Sequence, residues 1–227
     1  MGTGGYLEAA VPLITSFLGP ARRTIAFIPF ALVNHEYEGY ADNVRKACEG
    51  LPYTIHPTCE GKAAKLIAEA DAIMVGGGNT FKLLHDLYAL NLLELIRERV
   101  ASGIPYIGWS AGSNVAGASI STSNDMPIIE PAGFKAFNFL PFQINPHYYN
   151  VSIPGFNGET RDQRLQEFVQ LNPTLPVVAL PEGTALQRQG EKLRLLGGAA
   201  FIFSWQQGKV EQQPVQPETD LSYLLGR

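Results

Sequence analysis

A chain of 227 residues, 45% hydrophobic and 17% charged, is long enough to bury one sizeable α/β core, so we expect a single domain over 1–227. A net charge of −4, with no basic cluster longer than Arg22-Arg23, argues against a nucleic-acid partner. The apolar runs are too short to span a membrane, which argues against a membrane protein. The amino terminus does not show a signal-peptide pattern, which argues against a secreted protein. The two cysteines lack Cys-x-x-Cys spacing, which predicts reduced packing residues, no metal pair and a cytoplasmic location.

The first half of the chain alternates amphipathic helices with apolar strands. We predict helices at 6–18, 40–49, 62–69, 81–87 and 92–100, and strands at 24–29, 53–56, 72–75 and 105–109. Strands and helices that alternate at these short intervals along the chain indicate a three-layer α/β fold, with a mostly parallel sheet and helices on both faces. Ligands of such sheets bind beyond the carboxyl ends of the strands.

The second half of the chain does not continue this regular alternation of helices and strands. Residues 119–159 are expected to be irregular and rich in turns, including the Asn-Pro-His segment at 145–147. Thr160 is placed to cap a helix over 161–171, and a buried strand is predicted at 176–180. Four short alternating segments, at 185–188, 192–196, 200–204 and 209–213, predict antiparallel strands at one edge of the sheet.

A Gly-x-Ser-x-Gly pattern ends the strand at 105–109. Gly108-Trp-Ser-Ala-Gly112 leads into a run of small residues, as a tightly packed helix requires. A serine on a sharp strand-to-helix turn stands clear of the sheet, and the flanking glycines let the turn close without a Cβ clash. We therefore predict that Ser110 is a nucleophile.

Three consecutive glycines follow the strand at 72–75. Their backbone N–H groups can face a developing oxyanion, so we predict an oxyanion hole that pairs Gly77 or Gly78 with the N–H of Ala111. The spacing fits neither Gly-x-Gly-x-x-Gly nor the Walker pattern with its lysine, which argues against a nucleotide loop. A tight turn without chemistry is the alternative.

A serine nucleophile needs a base, and the chain has four histidines. His147 is the candidate because it follows a proline in the irregular half, where a catalytic loop is expected. The third member is a carboxylate that holds the imidazole tautomer. Asp125, in a turn, and Glu182, after the strand at 176–180, both qualify; the position at a strand end slightly favours Glu182, but spacing does not decide.

Six motifs stand in a fixed order along the chain. They are Gly76-Gly-Gly-Asn-Thr-Phe81, Tyr106-Ile-Gly-Trp-Ser-Ala-Gly112, Asn124-Asp-Met-Pro127, Gln143-Ile-Asn-Pro-His147, Gly158-Glu-Thr-Arg161 and Leu180-Pro-Glu-Gly183. Together they resemble the blocks of the peptidase E family of α-aspartyl dipeptidases, over roughly residues 5–205. The resemblance implies a fold similar to class I glutamine amidotransferases and a serine peptidase that cleaves dipeptides with amino-terminal aspartate.

The resemblance also assigns roles. It implies Ser110 as the nucleophile, His147 as the base and either Asp125 or Glu182 as the third member, with no metal or organic cofactor. An aspartate substrate presents a β-carboxylate, which calls for an arginine or a set of N–H donors. Two further residues are therefore candidates for substrate binding. One is Arg161, although it could instead be an exposed arginine in the first turn of a helix with no role in binding. The other is Asn79, beside the three glycines.

Two alternative functions stay open. One is a cyanophycinase-like peptidase, which also releases aspartate-containing dipeptides; the other is a catalytically silent relative that binds acidic peptides. Family members usually open with an apolar strand, whereas Gly2-Thr-Gly-Gly5 leads straight into the first predicted helix. We expect either a sheet one strand smaller or a shortened chain, with an exposed strand edge in both cases. Both a monomer and a dimer are compatible with the sequence.

Overall fold

The structure is a computed structural model in which residues 5–151, 155 and 157–226 are described. The helices are α1 (Val11–Leu18), α2 (Tyr37–Ala47), α3 (Ala63–Glu69), α4 (Thr80–Ala89), α5 (Leu92–Ala101), α6 (Ala111–Ala116) and α7 (Arg161–Leu171), with a short 3-10 helix at Ser222–Leu224. The strands are β1 (Arg23–Ile28), β2 (Tyr53–Pro57), β3 (Ala72–Val75), β4 (Tyr106–Gly108), β5 (Gln143–Pro146), β6 (Val177–Leu180), β7 (Thr184–Gln189), β8 (Lys192–Gly197), β9 (Ala200–Gln206) and β10 (Lys209–Val215). Among the described helices, none has the length and apolar character needed to cross a membrane.

The amino-terminal sheet has the strand order β2-β1-β3-β4, and all neighbouring strands in it are parallel. Side chains along β1 alternate between two faces of this sheet. Ile25 and Phe27 pack with residues of α1 and α2, whereas Ala26 and Ile28 pack with residues of α3, α4 and α5. Helices therefore cover both faces of the sheet, which confirms the predicted three-layer α/β fold.

The carboxy-terminal sheet has the strand order β10-β9-β6-β5. Strands β5 and β6 are parallel, whereas β9 is antiparallel to both β6 and β10. Strands β7 and β8 form a separate two-stranded sheet, so the prediction that all four short strands lie at one edge is wrong for this pair. Leu193 and Leu195 bury one face of the hairpin in the core, and the backbone of β8 bonds to residues 218–221 rather than to either four-stranded sheet.

The two four-stranded sheets meet at α6, which packs on β3, β4 and β5. In the described part of the chain, β4 pairs with β3 alone, and its other edge has no strand partner. All three residues of β4 are partly exposed. Residues 2–4 of the opening glycine-rich stretch lie outside the described residues, so the prediction about a strand in front of α1 is not addressed there.

The first helix and the segment at 143–146 also differ from the prediction, and helix α2 begins at Tyr37, three residues before the predicted start. The first helix begins at Val11 rather than at residue 6, because Leu7 adopts a positive φ of 57° that ends regular helix geometry. Residues 143–146, predicted as irregular, form the buried strand β5. Its proline is tolerated because β5 is an edge strand of its sheet and Pro146 is the last residue of the strand. The predicted cap at Thr160 is confirmed as a capping box with Gln163.

Candidate active site

Ser110 lies on the turn between β4 and α6, with a φ of 55° and a ψ of −114°. A positive φ is unfavourable for a residue other than glycine, and it is typical of a serine held on a strand-to-helix turn. The flanking glycines permit close packing. A Cβ on Gly108 would lie 2.4 Å from the carbonyl oxygen of Gly112, and a Cβ on Gly112 would lie 2.2 Å from that of Val75. Any larger residue at either position would displace the turn from the sheet.

Two hydroxyl groups fix this turn. The Tyr106 hydroxyl donates to the carbonyl oxygen of Gly112 at 2.7 Å, and Ser113 Oγ donates to that of Gly108 at 3.0 Å. Burial raises the pKa of Tyr106 well above its usual value, so the phenol stays a neutral donor at physiological pH. Ser110 is therefore held in a turn that is anchored on both sides.

The glycine turn after β3 lies directly against Ser110. A Cβ on Gly77 would lie 2.8 Å from Ser110 Cβ and 3.3 Å from Ser110 Oγ, so only glycine allows this approach. Gly78 has a φ of 135°, and a Cβ there would lie 2.4 Å from the carbonyl oxygen of Ala31. The structure thus brings the predicted nucleophile and the predicted oxyanion loop together.

Tyr40, which the sequence did not single out, binds this glycine turn. Its hydroxyl accepts from the Gly77 N–H at 2.8 Å and from the Trp109 indole at 3.3 Å, and lies 3.2 Å from the Gly77 carbonyl oxygen, to which it donates. The C=O and N–H of a trans peptide point in opposite directions, so this last bond turns the Gly78 N–H away from Tyr40. The N–H of Ala111, at the start of α6, has no intrahelical acceptor. Of the two glycine donors predicted, the geometry therefore favours Gly78.

His147 and Glu182 follow two adjacent parallel strands. Pro146 in β5 lies opposite Leu180 in β6, which places the residues after them side by side. Nδ1 of His147 donates to Oε1 of Glu182, and this bond is the main cause of the lowered pKa of the Glu182 carboxyl. The His147 side chain is 52% exposed and that of Glu182 43% exposed. Because the carboxylate holds Nδ1, the second ring nitrogen is the one left for proton transfer.

Asp125, the other predicted candidate for the third member, has different partners. Its Oδ2 accepts from the Thr80 N–H at 2.8 Å, from Thr80 Oγ1 at 2.5 Å and from Ser123 Oγ at 3.3 Å. Since α4 begins at Thr80, the carboxylate lies at a helix N-terminus, where negative charge is favourable. Within the described residues, Glu182 is the carboxylate bonded to His147, so the geometry favours Glu182 for that role.

A cavity of about 260 Å³ lies between the segment at 121–125 and helix α7, and Ser110, His147 and Glu182 are not among its lining residues. It is lined by Ser121, Thr122, Ser123, Asn124, Asp125, Arg161, Arg164, Leu165 and Phe168. Nη1 of Arg161 donates to Oδ1 of Asn145, which is two residues before His147, at 3.1 Å. Burial, followed by the nearby charge of Arg164, lowers the pKa of Arg161, yet a guanidinium remains charged at neutral pH. No carboxylate of the described chain pairs with Arg161.

Asn79, predicted to bind substrate, is the N-cap of α4. Its side-chain oxygen accepts from the Lys82 N–H at 3.0 Å, and its amide donates to the carbonyl oxygen of Met126 at 2.8 Å. Both ends of the amide are therefore engaged within the protein. The capping role explains the asparagine without a ligand, and its contact with substrate stays a prediction.

These groups are of the types that acyl transfer uses, and within the described residues Ser110 Oγ and His147 are not hydrogen-bonded to each other. Ser110 and His147 follow strands that pack on the same helix, α6, and the loop with Gly78 lies against the serine. A hydroxyl nucleophile, a carboxylate-held imidazole and backbone N–H donors are the components that acyl-enzyme chemistry requires. Among the described residues, no group of three or more His, Cys, Asp and Glu side chains is arranged to hold a metal ion.

Comparison with known proteins gives one consistent family. The model of peptidase family S51 matches residues 1–196. Peptidase E of Shewanella amazonensis is 49% identical over 229 residues, covering 99% of this chain and 95% of that protein. Peptidase E of a Nostoc species is 49% identical over 225 residues, covering 98% and 91%. The resemblance drawn from the six motifs is thereby confirmed.

Solved structures support the fold. A Listeria monocytogenes protein assigned as peptidase E superimposes with a TM-score of 0.66 at 25% identity, covering 85% of this chain and 95% of that one. A peptidase from an acI-B1 Actinobacterium gives a TM-score of 0.65 at 18% identity, covering 97% and 94%. At that lower identity the second match is evidence of a shared fold alone.

Proposed function

This chain belongs to peptidase family S51 and is a serine peptidase, and we propose that it hydrolyses dipeptides whose amino-terminal residue is aspartate. The observation that carries the substrate proposal is the cavity with the Arg161 guanidinium, which no carboxylate of the described chain neutralises. A half-buried cation of this kind favours an anionic side chain. The preference for dipeptides follows from the family resemblance.

The proposed mechanism uses the groups already described. Ser110 Oγ attacks the carbonyl carbon of the scissile bond while His147 takes its proton, and Glu182 holds the imidazole in place. The tetrahedral oxyanion accepts hydrogen bonds from the N–H groups of Gly78 and Ala111. His147 then protonates the leaving amino group, and the C–N bond breaks to leave an aspartyl ester on Ser110. Water, deprotonated by the same histidine, hydrolyses that ester and releases aspartate.

The cavity fits a short acidic side chain. Its volume of about 260 Å³ is modest, and Leu165 and Phe168 offer an apolar wall for a methylene group. The planar guanidinium of Arg161 presents paired donors that match the geometry of a carboxylate. Because Arg161 is partly desolvated, its attraction for an anion exceeds that of an exposed arginine.

A panel of three dipeptides tests the function. We expect Asp-Leu to be hydrolysed much faster than Ala-Leu, with Glu-Leu slower than Asp-Leu because its longer side chain fits the cavity less well. Release of leucine measures each rate. Equal rates for Ala-Leu and Asp-Leu would contradict the acidic preference, and no cleavage of any dipeptide would favour the silent relative. Release of dipeptides from cyanophycin would favour the cyanophycinase-like alternative.

Arg161→Ala tests the substrate contact. A charge-assisted hydrogen bond contributes about 1.5–3 kcal/mol, so kcat/KM for Asp-Leu should fall by about 10–150-fold. The preference for Asp-Leu over the uncharged Asn-Leu should collapse with it. Arg22→Ala, at an exposed position, is the matched control and should leave both values as they are. An Asp/Asn ratio that stays the same in Arg161→Ala would exclude Arg161 from substrate recognition.

We also propose a cytoplasmic location, with no partner beyond the small substrate. Cys48 and Cys59 are free thiols, one buried and one exposed, which suits a reducing compartment. Fractionation of cells that produce the protein tests the location, and recovery from a membrane or secreted fraction would contradict it. Light scattering decides between monomer and dimer.

A further inference from the structure

The three hydrogen bonds that Asp125 receives all fall on one carboxylate oxygen. Oδ2 accepts from the Thr80 N–H, from Thr80 Oγ1 and from Ser123 Oγ. Among the described residues, none donates to Oδ1, and no lysine, arginine or histidine forms an ion pair with this carboxylate. Asp125 therefore contributes to the wall of the cavity a carboxylate that has one oxygen without a donor and no ion-pair partner among the described residues.

The same cavity also carries positive charge. Arg161 bonds to the neutral amide of Asn145, and Arg164 reaches the exposed Glu159 at 3.6 Å. A cavity with one open carboxylate oxygen and one guanidinium free of carboxylates is complementary to a ligand that carries both signs close together. An amino-terminal aspartate is such a ligand, since its α-ammonium and its side-chain carboxylate are separated by two carbon atoms.

We propose that Asp125 binds the α-ammonium of the substrate while Arg161 binds its side-chain carboxylate. The inference rests on the proposed function, because it assigns a second contact to the same substrate. The bonds from Thr80 and Ser123 hold the carboxylate in place before substrate arrives, which lowers the cost of binding. A residue in front of the aspartate would replace the ammonium with a neutral amide and leave Asp125 without a partner, so the site selects a free amino terminus.

Succinyl-leucine provides the test, because it is Asp-Leu with hydrogen in place of the α-amino group. We expect the unsubstituted enzyme to prefer Asp-Leu over succinyl-leucine by about 10–150-fold in kcat/KM, the range of one charge-assisted hydrogen bond. Asp125→Asn keeps the shape but removes the charge, and it should reduce this preference by about tenfold or more. Steady-state rates on both substrates with both proteins measure the effect.

Thr80→Val is the matched control. It removes one hydroxyl that bonds Asp125 but keeps the negative charge, so the preference for Asp-Leu should persist even where both rates fall. If Asp125 only supports α4, Asp125→Asn will lower both rates by the same factor, which overturns the inference and leaves the proposed function intact. Equal rates on the two substrates in the unsubstituted enzyme would also overturn it. Failure to cleave Asp-Leu at all would overturn the proposed function and this inference together.

Discussion

Ser110→Ala is expected to lower kcat by about 10⁶-fold while the fold and the binding of Asp-Leu are retained. Alanine lacks the attacking oxygen, so no acyl-enzyme forms, whereas the His147–Glu182 pair and the cavity are untouched. The backbone φ of 55° is equally unfavourable for serine and alanine, so the free energy of unfolding should change little. Turnover of Asp-Leu, thermal unfolding and calorimetric binding of Asp-Leu check the three parts of this expectation.

Ser113→Ala is the appropriate control for that experiment. Ser113 lies one turn further along α6 and donates to the Gly108 carbonyl, so its loss loosens the elbow without removing the nucleophile. We expect a net loss of about 0.5–1.5 kcal/mol in stability, the usual value for one hydrogen bond, and a far smaller effect on kcat. Activity within tenfold of the parent in Ser110→Ala would remove Ser110 from the mechanism.

The strand-to-helix turn that carries Ser110 was predictable because its sequence signals are local. An apolar strand, a serine between two glycines and a small-residue helix stand next to each other in the chain, and each has a direct structural cause. The close approaches of Gly108 and Gly112 show that cause: a Cβ at either position would overlap a neighbouring carbonyl group. The Thr160 capping box is predictable for the same reason, since both of its partners lie within one turn.

Strand β5 and Tyr40 were missed because their positions depend on distant parts of the chain. The Gln-Ile-Asn-Pro segment contains polar residues and a proline, and this composition is typical of a loop. In the structure, Gln143 and Asn145 are fully buried, and Asn145 is satisfied by the carbonyl oxygen of Thr122. Tyr40 reaches Gly77 from α2, which belongs to a different part of the sequence. Neither the strand nor the tyrosine contact produces a periodic or local pattern in the sequence.

Residue spacing identified the two candidate carboxylates, but three-dimensional geometry was needed to compare them. Asp125 stands in a predicted turn and Glu182 follows a predicted strand, so the sequence offers two candidates for one role. The parallel pairing of β5 and β6 brings Glu182 beside His147, and the contact with Thr80 holds Asp125 at the start of α4. Strand pairing between separated segments therefore favours Glu182, and that pairing cannot be read from residue spacing.

Glu182→Gln is expected to lower kcat by up to about 10⁴-fold, because an uncharged partner permits the wrong tautomer of His147 and no longer stabilises the imidazolium. The bond to His147 lowers the pKa of the Glu182 carboxyl, so the native side chain is ionised at neutral pH and the substitution removes a full charge. Both side chains are about half exposed in the free enzyme, at 52% and 43%, so water screens the pair. The stated loss is therefore an upper value, and bound substrate that excludes water would bring the measured loss closer to it.

The comparison with Asp125→Asn makes the experiment decisive. If Glu182 orients His147 and Asp125 binds the substrate ammonium, Glu182→Gln lowers the rate on Asp-Leu and on succinyl-leucine alike, whereas Asp125→Asn acts mainly on Asp-Leu and costs about 10–150-fold. Glu191→Gln, which neutralises an exposed carboxylate, controls for the loss of one negative charge. The reverse ranking, with Asp125→Asn reducing kcat on both substrates far more than Glu182→Gln does, would transfer the role of third triad member to Asp125, and the His147–Glu182 bond would then be a contact without catalytic consequence.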